Sequence, residues 1–378
     1  MDFLFFNKFH ISEILLFLFI LTALLQLYYY LYFFGRVAFK KEKRKNARKE
    51  PVSVVICAKN EAENLSKYLP AILMQNYPDY EVIVVNDCSE DNTSDVLDGF
   101  QKKYPHLKIT NIQRDPKFTH GKKLALTIGI KAAQNEWLLL TDADCKPETE
   151  NWITTMQKNF SRDSSVVLGY GGYYSRNSFL NNYIRFDTFF IALQYFGMAL
   201  AGFPYMGVGR NLAYRRSLFF KNKGFASHRK IASGDDDLFI NQTATRINTK
   251  VEYNFKSHTR AEPKNTIFEW VKQKKRHLST GWHYNAKTKW LLGGELAGRV
   301  LFYILFVVLI SNLWFNYIVA GIFLLRFISM AVIFKSAMKR LNEKYLFIPS
   351  FFYDFISPII IIFFVVLNKF SSPDTSWK

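Results

Sequence analysis

The chain has 378 residues, a formal charge of +19 at neutral pH, 37 Phe and 21 Tyr. That length holds one large domain or two modest ones plus membrane spans, and the basic, aromatic balance suits a protein lying against an anionic membrane face. No basic recognition helix or nucleic-acid motif accompanies the charge, which argues against a nucleic-acid partner, and the three cysteines, Cys57, Cys88 and Cys145, lack metal-ligand spacing and read as small buried residues of a reduced compartment.

Taken in chain order, Ile11 to Phe34 is almost wholly apolar and long enough to span a bilayer, which needs about 20 residues. No small-residue cleavage site follows it, and the basic run Lys40-Lys41-Glu42-Lys43-Arg44-Lys45 does. This predicts an uncleaved anchor with the following residues in the cytoplasm. Val52 to Cys57 reads as a first strand, with Ala58-Lys59-Asn60-Glu61 as its exit loop. A helix follows with Leu65, Leu69, Ile72 and Leu73 on one face. A second strand covers 82–86 and ends in Asp87, a helix runs from Asn92 to Tyr104, and a third strand lies near 108–112. Gly121-Lys122-Lys123 opens a helix through Ala133, and the fourth strand, 137–141, ends at Asp142 and Asp144. Short apolar runs alternating with helices predict an α/β domain of doubly wound, Rossmann-like type with a mostly parallel sheet. Beyond Asp144 the alternation fades, as expected where an acceptor site replaces a second nucleotide half.

Residues 183–206 are apolar and aromatic but carry Arg185, Asp187 and Pro204, and fit either an amphipathic stretch on a membrane surface or domain core. The block 300–334 fits two short spans joined near 311–317, residues 335–344 are basic and hence cytoplasmic, and 345–367 form a last span with Pro349 and Pro358 as kinks. The expected organisation is an anchor at 1–39, a cytoplasmic domain at 40–298, and a membrane domain at 299–378, with the tail beyond Asn368 outside.

In open α/β sheets the ligand sits beyond the carboxyl ends of the strands, so Asp87, Asp142 and Asp144 reach one edge. Asp142-Ala143-Asp144 after an apolar strand is a hard-oxygen site for Mg²⁺ or Mn²⁺ carrying a diphosphate. Asp87 can accept from a base or ribose, or close an Asx-turn. In Gly234-Asp235-Asp236-Asp237 mutual repulsion raises the pKa of one acid, which suits a general base; the same acids suit a helix start. In Gln273-Lys274-Lys275-Arg276-His277, Arg276 can bind a phosphate oxygen and Gln273 a hydroxyl, while Lys274 and Lys275 read as a solvated basic face. Gly207-Val208-Gly209-Arg210-Asn211 permits close backbone approach to a ligand. Together these describe an enzyme for a phosphorylated, nucleotide-linked substrate.

These blocks, in this order over roughly residues 50–290, resemble the inverting glycosyltransferases of family 2, which have the GT-A fold. The resemblance implies that Val54 to Glu61, including Lys59, Asn60 and Glu61, meets the base and ribose of a nucleotide-sugar donor, UDP- or GDP-linked. It implies that Asp87 contacts the base, that Asp142 and Asp144 hold the metal and diphosphate, and that Asp236, with Asp235 beside it, is the catalytic base. Lys122, Gln273 and Arg276 join the donor-binding set. Gln273-x-x-Arg276-His277 is similar to the Gln-x-x-Arg-Trp motif of membrane-embedded members, with His277 where tryptophan is usual. The expected activity is transfer of a sugar to a lipid or glycan acceptor at the cell membrane. A processive polysaccharide synthase and a non-catalytic nucleotide-sugar-binding membrane protein are the alternatives.

Overall fold

The structure is a computed structural model, and it describes residues 2–41, 49–114, 121–231 and 233–370. Most of the basic run after the first apolar segment, and the tail beyond Phe370, lie outside the described residues. In chain order, helix α1 (Asp2–Tyr28) widens into a π-type stretch (Tyr29–Phe34) and continues as α2 (Gly35–Phe39). The α/β domain follows as β1 (Val52–Ala58), α3 (Ala62–Leu73), β2 (Tyr80–Asp87), α4 (Thr93–Gln101), β3 (Leu107–Ile112), α5 (Lys122–Ala132) and β4 (Trp137–Leu140). Then come β5 (Cys145–Pro147), α6 (Trp152–Gln157), β6 (Val166–Leu168), β7 (Gly171–Tyr173), α7 (Phe179–Leu200), β8 (Leu212–Arg215) and α8 (Arg216–Lys221). The chain continues through α9 (Asp237–Thr243), β9 (Thr249–Val251), β10 (Thr259–Ala261) and α10 (Ile267–Ser279), and closes with α11 (Ala286–Ser311), α12 (Asn316–Arg340) and α13 (Phe347–Phe370).

Every residue of β1 is buried, which is why its sequence is a continuous apolar run rather than an alternation: both faces of a parallel sheet are covered by helices. The main sheet has the order β3-β2-β1-β4-β8-β6-β9. Strands β1 to β4 are parallel, and β8 runs antiparallel to β4 and β6. The chain moves outward from β1 to β2 and β3, then returns to place β4 on the other flank of β1. The order therefore reverses between β1 and β4, and a crevice opens there at the carboxyl ends. A three-stranded sheet, β5-β10-β7, extends the domain beyond β4.

Helix α5 lies unusually close to the sheet because Gly129 has no side chain. A Cβ there would stand 2.6 Å from Cγ1 of Val55 and 2.9 Å from Cγ2 of Val85. Gly129→Ala is expected to lower stability by about 1–3 kcal/mol through overpacking, seen as a lower unfolding temperature of the detergent-solubilised protein. An unchanged midpoint would mean that α5 sits farther out.

Among the described residues, four helical segments are long and apolar enough to cross a membrane: Ile11–Phe39, Ala286–Ser311, Asn316–Arg340 and Phe347–Asn368. The expected split of 300–334 into two helices matches the break between α11 and α12. The expected boundary at 298/299 falls inside α11, whose first turns pack on the α/β domain, where Thr288 accepts from Asn241, and on the first apolar helical segment, where the Leu291 carbonyl accepts from the Tyr29 hydroxyl. One apolar core runs from Val55 and Ile83 of the sheet through α7 to Phe334 and Ala337 of α12, so the two parts are not separable bodies.

Residues 183–200 are correspondingly core and do not lie on an open membrane surface. Tyr183, Phe186, Phe189, Phe190 and Phe196 of α7 are buried. The two charges that suggested amphipathicity face partners. Arg185 donates to Glu343 in the α12–α13 loop, and Asp187 accepts from Lys274 at 2.6 Å. Lys274 is thus only 5% exposed, against the expectation of a solvated face. Glu343 also accepts from Arg260 of β10 and from the Tyr170 hydroxyl. The α12–α13 loop is therefore plugged into the α/β domain.

Candidate active site

The acids meet at the crevice because the strands end there. Asp87 closes β2 and is fully buried; Asp142 and Asp144 follow β4 and are half-buried. The loop Gly234–Asp237 leads into α9 and comes beside them. Lys122, in the first turn of α5, joins the two groups: its Nζ lies 2.9 Å from Asp142 and 3.0 Å from Asp235. Burial works against its charge, but Asp142, Asp235 and Asp236 outweigh burial and hold Lys122 protonated. Cys57 of β1 lies beneath this cluster with its thiol pushed up by burial, so it stays neutral.

The three adjacent acids differ in environment. For Asp235 burial is outweighed by Lys122, and its carboxyl is held below the usual range. Asp237 is raised by burial, but it is spent structurally: it accepts from the hydroxyls of Thr280 and Tyr284 and from the Leu238 N–H. Asp236 is pushed up to about 7, first by burial and then by the charges of Asp235 and Asp237. Its Oδ2 accepts from the Gly209 N–H and its Oδ1 from the Asp237 N–H, both at 2.7 Å. Only Asp236 combines partial exposure, fixed orientation and a pKa near neutrality, the combination a general base requires.

Oxygens of Asp142 and Asp144 and the Cys145 sulfur lie within 4.8 Å of one another. Burial, then the neighbouring Asp144, push the Cys145 thiol well up, leaving a neutral sulfur and two carboxylates. Burial and the charge of Asp142 also raise Asp144. Two crowded carboxylates that resist joint ionisation fit a hard divalent cation such as Mg²⁺ or Mn²⁺.

The first exit loop is mostly a structural staple. Asn60 is exposed and left-handed (φ 55°); its N–H donates to Ser89 and its Oδ1 accepts from the Glu90 N–H. The Glu61 N–H donates to Thr93, and its buried carboxylate accepts from Asn64. These contacts tie the exits of β1 and β2 together, leaving Lys59 half-buried beside the Asp87–Cys88 turn. Gln273 of α10 donates to the Tyr173 hydroxyl at 3.3 Å. Arg276 and His277 follow in the last turn of that helix, with no bond to the acids among the described residues.

Arg210 is the residue that sequence reasoning passed over. Its guanidinium lies over the Tyr173 ring at 4.3 Å and offsets the charge of Asp144. Its carbonyl accepts from Thr141 and Thr259, and the next residue, Asn211, bonds the Trp152 indole and two backbone carbonyls. The glycine-rich run 207–211 was the signal, and its role is to bring the Gly209 N–H to Asp236.

Residues 53–222 match the model of glycosyl transferase family 2. The chain is 27% identical over 264 residues to the probable glycosyltransferase YdaM of Bacillus subtilis, covering 67% of this chain and 57% of that one. It is 32% identical over 102 residues to the poly-beta-1,6-N-acetyl-D-glucosamine synthase of Staphylococcus epidermidis, covering 27% and 24%. The match thus spans little more than half of one relative and about a quarter of the other. Among solved structures, the mannosyltransferase PcManGT of Pyrobaculum calidifontis, in complex with GDP-Man and Mn²⁺, superposes with a TM-score of 0.55 at 17% identity, covering 91% of this chain and 99% of that one. The α/β domain therefore has the GT-A fold.

Proposed function

Residues 53–222 match the glycosyl transferase family 2 model, and from that match we propose that the chain transfers a sugar from a nucleoside diphosphate donor to a hydroxyl of a lipid-linked or membrane-proximal acceptor, with inversion. The observation that carries this is Asp236, held by two N–H donors and poised near neutrality. The acceptor oxygen attacks the anomeric carbon as its proton passes to Asp236, and the bond to the diphosphate oxygen breaks. One displacement inverts the centre, so no covalent enzyme intermediate is needed. Asp142 and Asp144 would hold Mg²⁺ or Mn²⁺, which when bound offsets the charge of the departing diphosphate. Lys122 stands at the same place with a fixed charge, and Lys59 and Asp87, at the exits of β1 and β2, are assigned to the base. The YdaM match and the GT-A fold support a nucleotide-sugar donor; the four apolar helices support a membrane setting.

The direct test is nucleoside diphosphate release by detergent-solubilised enzyme with a panel of UDP- and GDP-sugars, Mg²⁺ or Mn²⁺, and a lipid extract. Release that rises with the lipid extract supports the reading; binding of every donor without release under all conditions leaves only a nucleotide-sugar-binding protein. Product length on a gel separates single addition from polymerisation.

The reading places the α/β domain in the cytoplasm, where Lys and Arg near span ends are retained. Because Glu343 is docked on that domain, a cysteine at Lys339 is expected to resist an impermeant thiol reagent in intact cells and to react after permeabilisation. Labelling in intact cells would reverse the orientation.

A further inference from the structure

We infer that α13 does not cross the bilayer but lies along its catalytic-side leaflet, so that both ends of the helix stay with the α/β domain. The inference rests on the membrane reading above. At the near end, Glu343 in the preceding loop is bonded to Arg185 and Arg260. In the middle, Tyr353 packs against Tyr183 of α7 with ring centroids 5.4 Å apart. At the far end, Phe364 packs against Trp270 of α10 at 5.5 Å, and the Asn368 amide donates to the Lys275 carbonyl at 3.0 Å. Lys275 adjoins Arg276, on the helix whose Gln273 reaches Tyr173 at the candidate site. From Phe347 to Asn368 the helix axis advances about 30 Å, a full hydrocarbon thickness. A helix crossing away from the domain would carry Asn368 to the opposite face; this one brings it back to α10.

The side chains divide accordingly. Ser350, Asp354 and Ser357, at helical spacing, are buried against the protein. Ile348, Phe352, Phe355, Ile359, Phe363 and Val366 form one exposed stripe on the other side. The polar residues of α13 are thus taken up inside the protein, Asp354 by Arg299 and the Tyr303 hydroxyl, and the side left exposed is wholly apolar. The stripe has one occupant, the lipid acyl layer: α11 and α12, which pack on α13, expose apolar residues of their own, and α10 adds Phe268, which is 80% exposed. Helix α13 thereby holds α10 at headgroup depth, where a lipid-linked hydroxyl would present itself.

The test is a depth measurement on the full chain reconstituted in phosphatidylcholine–phosphatidylglycerol vesicles, with Cys88 replaced by serine. Nitroxides are placed singly at Phe352, Ile359, Phe363 and Val366, with one at Ile304 of α11 as a reference, and collisions with oxygen and a nickel chelate report depth. The four α13 labels are expected at one level, roughly 5–10 Å below the phosphates. Depths fanning out by about 21 Å, the rise of 14 helical residues, would overturn the inference while leaving the membrane reading intact. If Ile304 also met no lipid, both would fall.

Discussion

Asp236→Asn is expected to cut transfer by about 10²–10⁴-fold, the usual contribution of a positioned general base, with donor affinity retained. The amide cannot take the acceptor proton. Both Asp236 oxygens accept from backbone N–H groups, so the substituted NH₂ must face one of those donors. A stability loss on the order of 1–3 kcal/mol from the unmatched donor is expected as well, and the unfolding temperature has to be read beside the rate. The same residue sets the pH profile. The base works only ionised, and its carboxyl is pushed up to about 7. Activity should therefore fall tenfold per pH unit below about 7 and level off above it. The residual rate of the Asn variant should lack that acidic limb. If that variant turned over normally while Asp235→Asn were inactive, the base would be the neighbouring acid.

The strands that build the site were legible because each is a short apolar run with an acid at its exit. Val82-Ile83-Val84-Val85 before Asp87 and Leu138-Leu139-Leu140 before Asp142 leave little other reading, and the observed β2 and β4 agree with the expected strands to within two residues. Periodicity is local, and so were the successes. What stayed hidden depended on partners far along the chain. Lys274 looked solvated because its counter-ion, Asp187, is 87 residues away. Helix α7 could be surface or core because a helix apolar on most sides does not say what covers it; the cover comes from Phe33, Phe334 and Trp270.

The same limit explains Asn60 and Arg210. The sequence places Asn60 at a strand exit, where a ligand contact is expected, and only the fold shows that Ser89 and Glu90 engage it first. Arg210 sat in a glycine-rich run whose purpose could not be read without Asp236, 26 residues on. Helix α13 has the length and hydropathy of a span, and composition carries no information on where Asn368 ends up.

Asp144→Ala is expected to abolish transfer and to lower Mn²⁺-dependent donor affinity by at least the ~10–100-fold that loss of even an outer-shell partner costs a metal site. Asp144 is the more informative of the two acids. Asp142 already shares its charge with Lys122 at 2.9 Å, so removing it also releases Lys122 and disturbs Asp235. The bond that Asp144 accepts is a weak one from the Cys145 thiol at 3.5 Å, so its loss leaves the rest of the cluster in place. Burial and Asp142 raise its pKa; metal binding must displace that proton and should therefore strengthen as pH rises. Titrating Mn²⁺ and donor by calorimetry, at two pH values, separates these effects. Unchanged Mn²⁺-dependent donor affinity in the variant would remove Asp144 from the metal shell and leave Lys122 as the principal positive charge at the diphosphate.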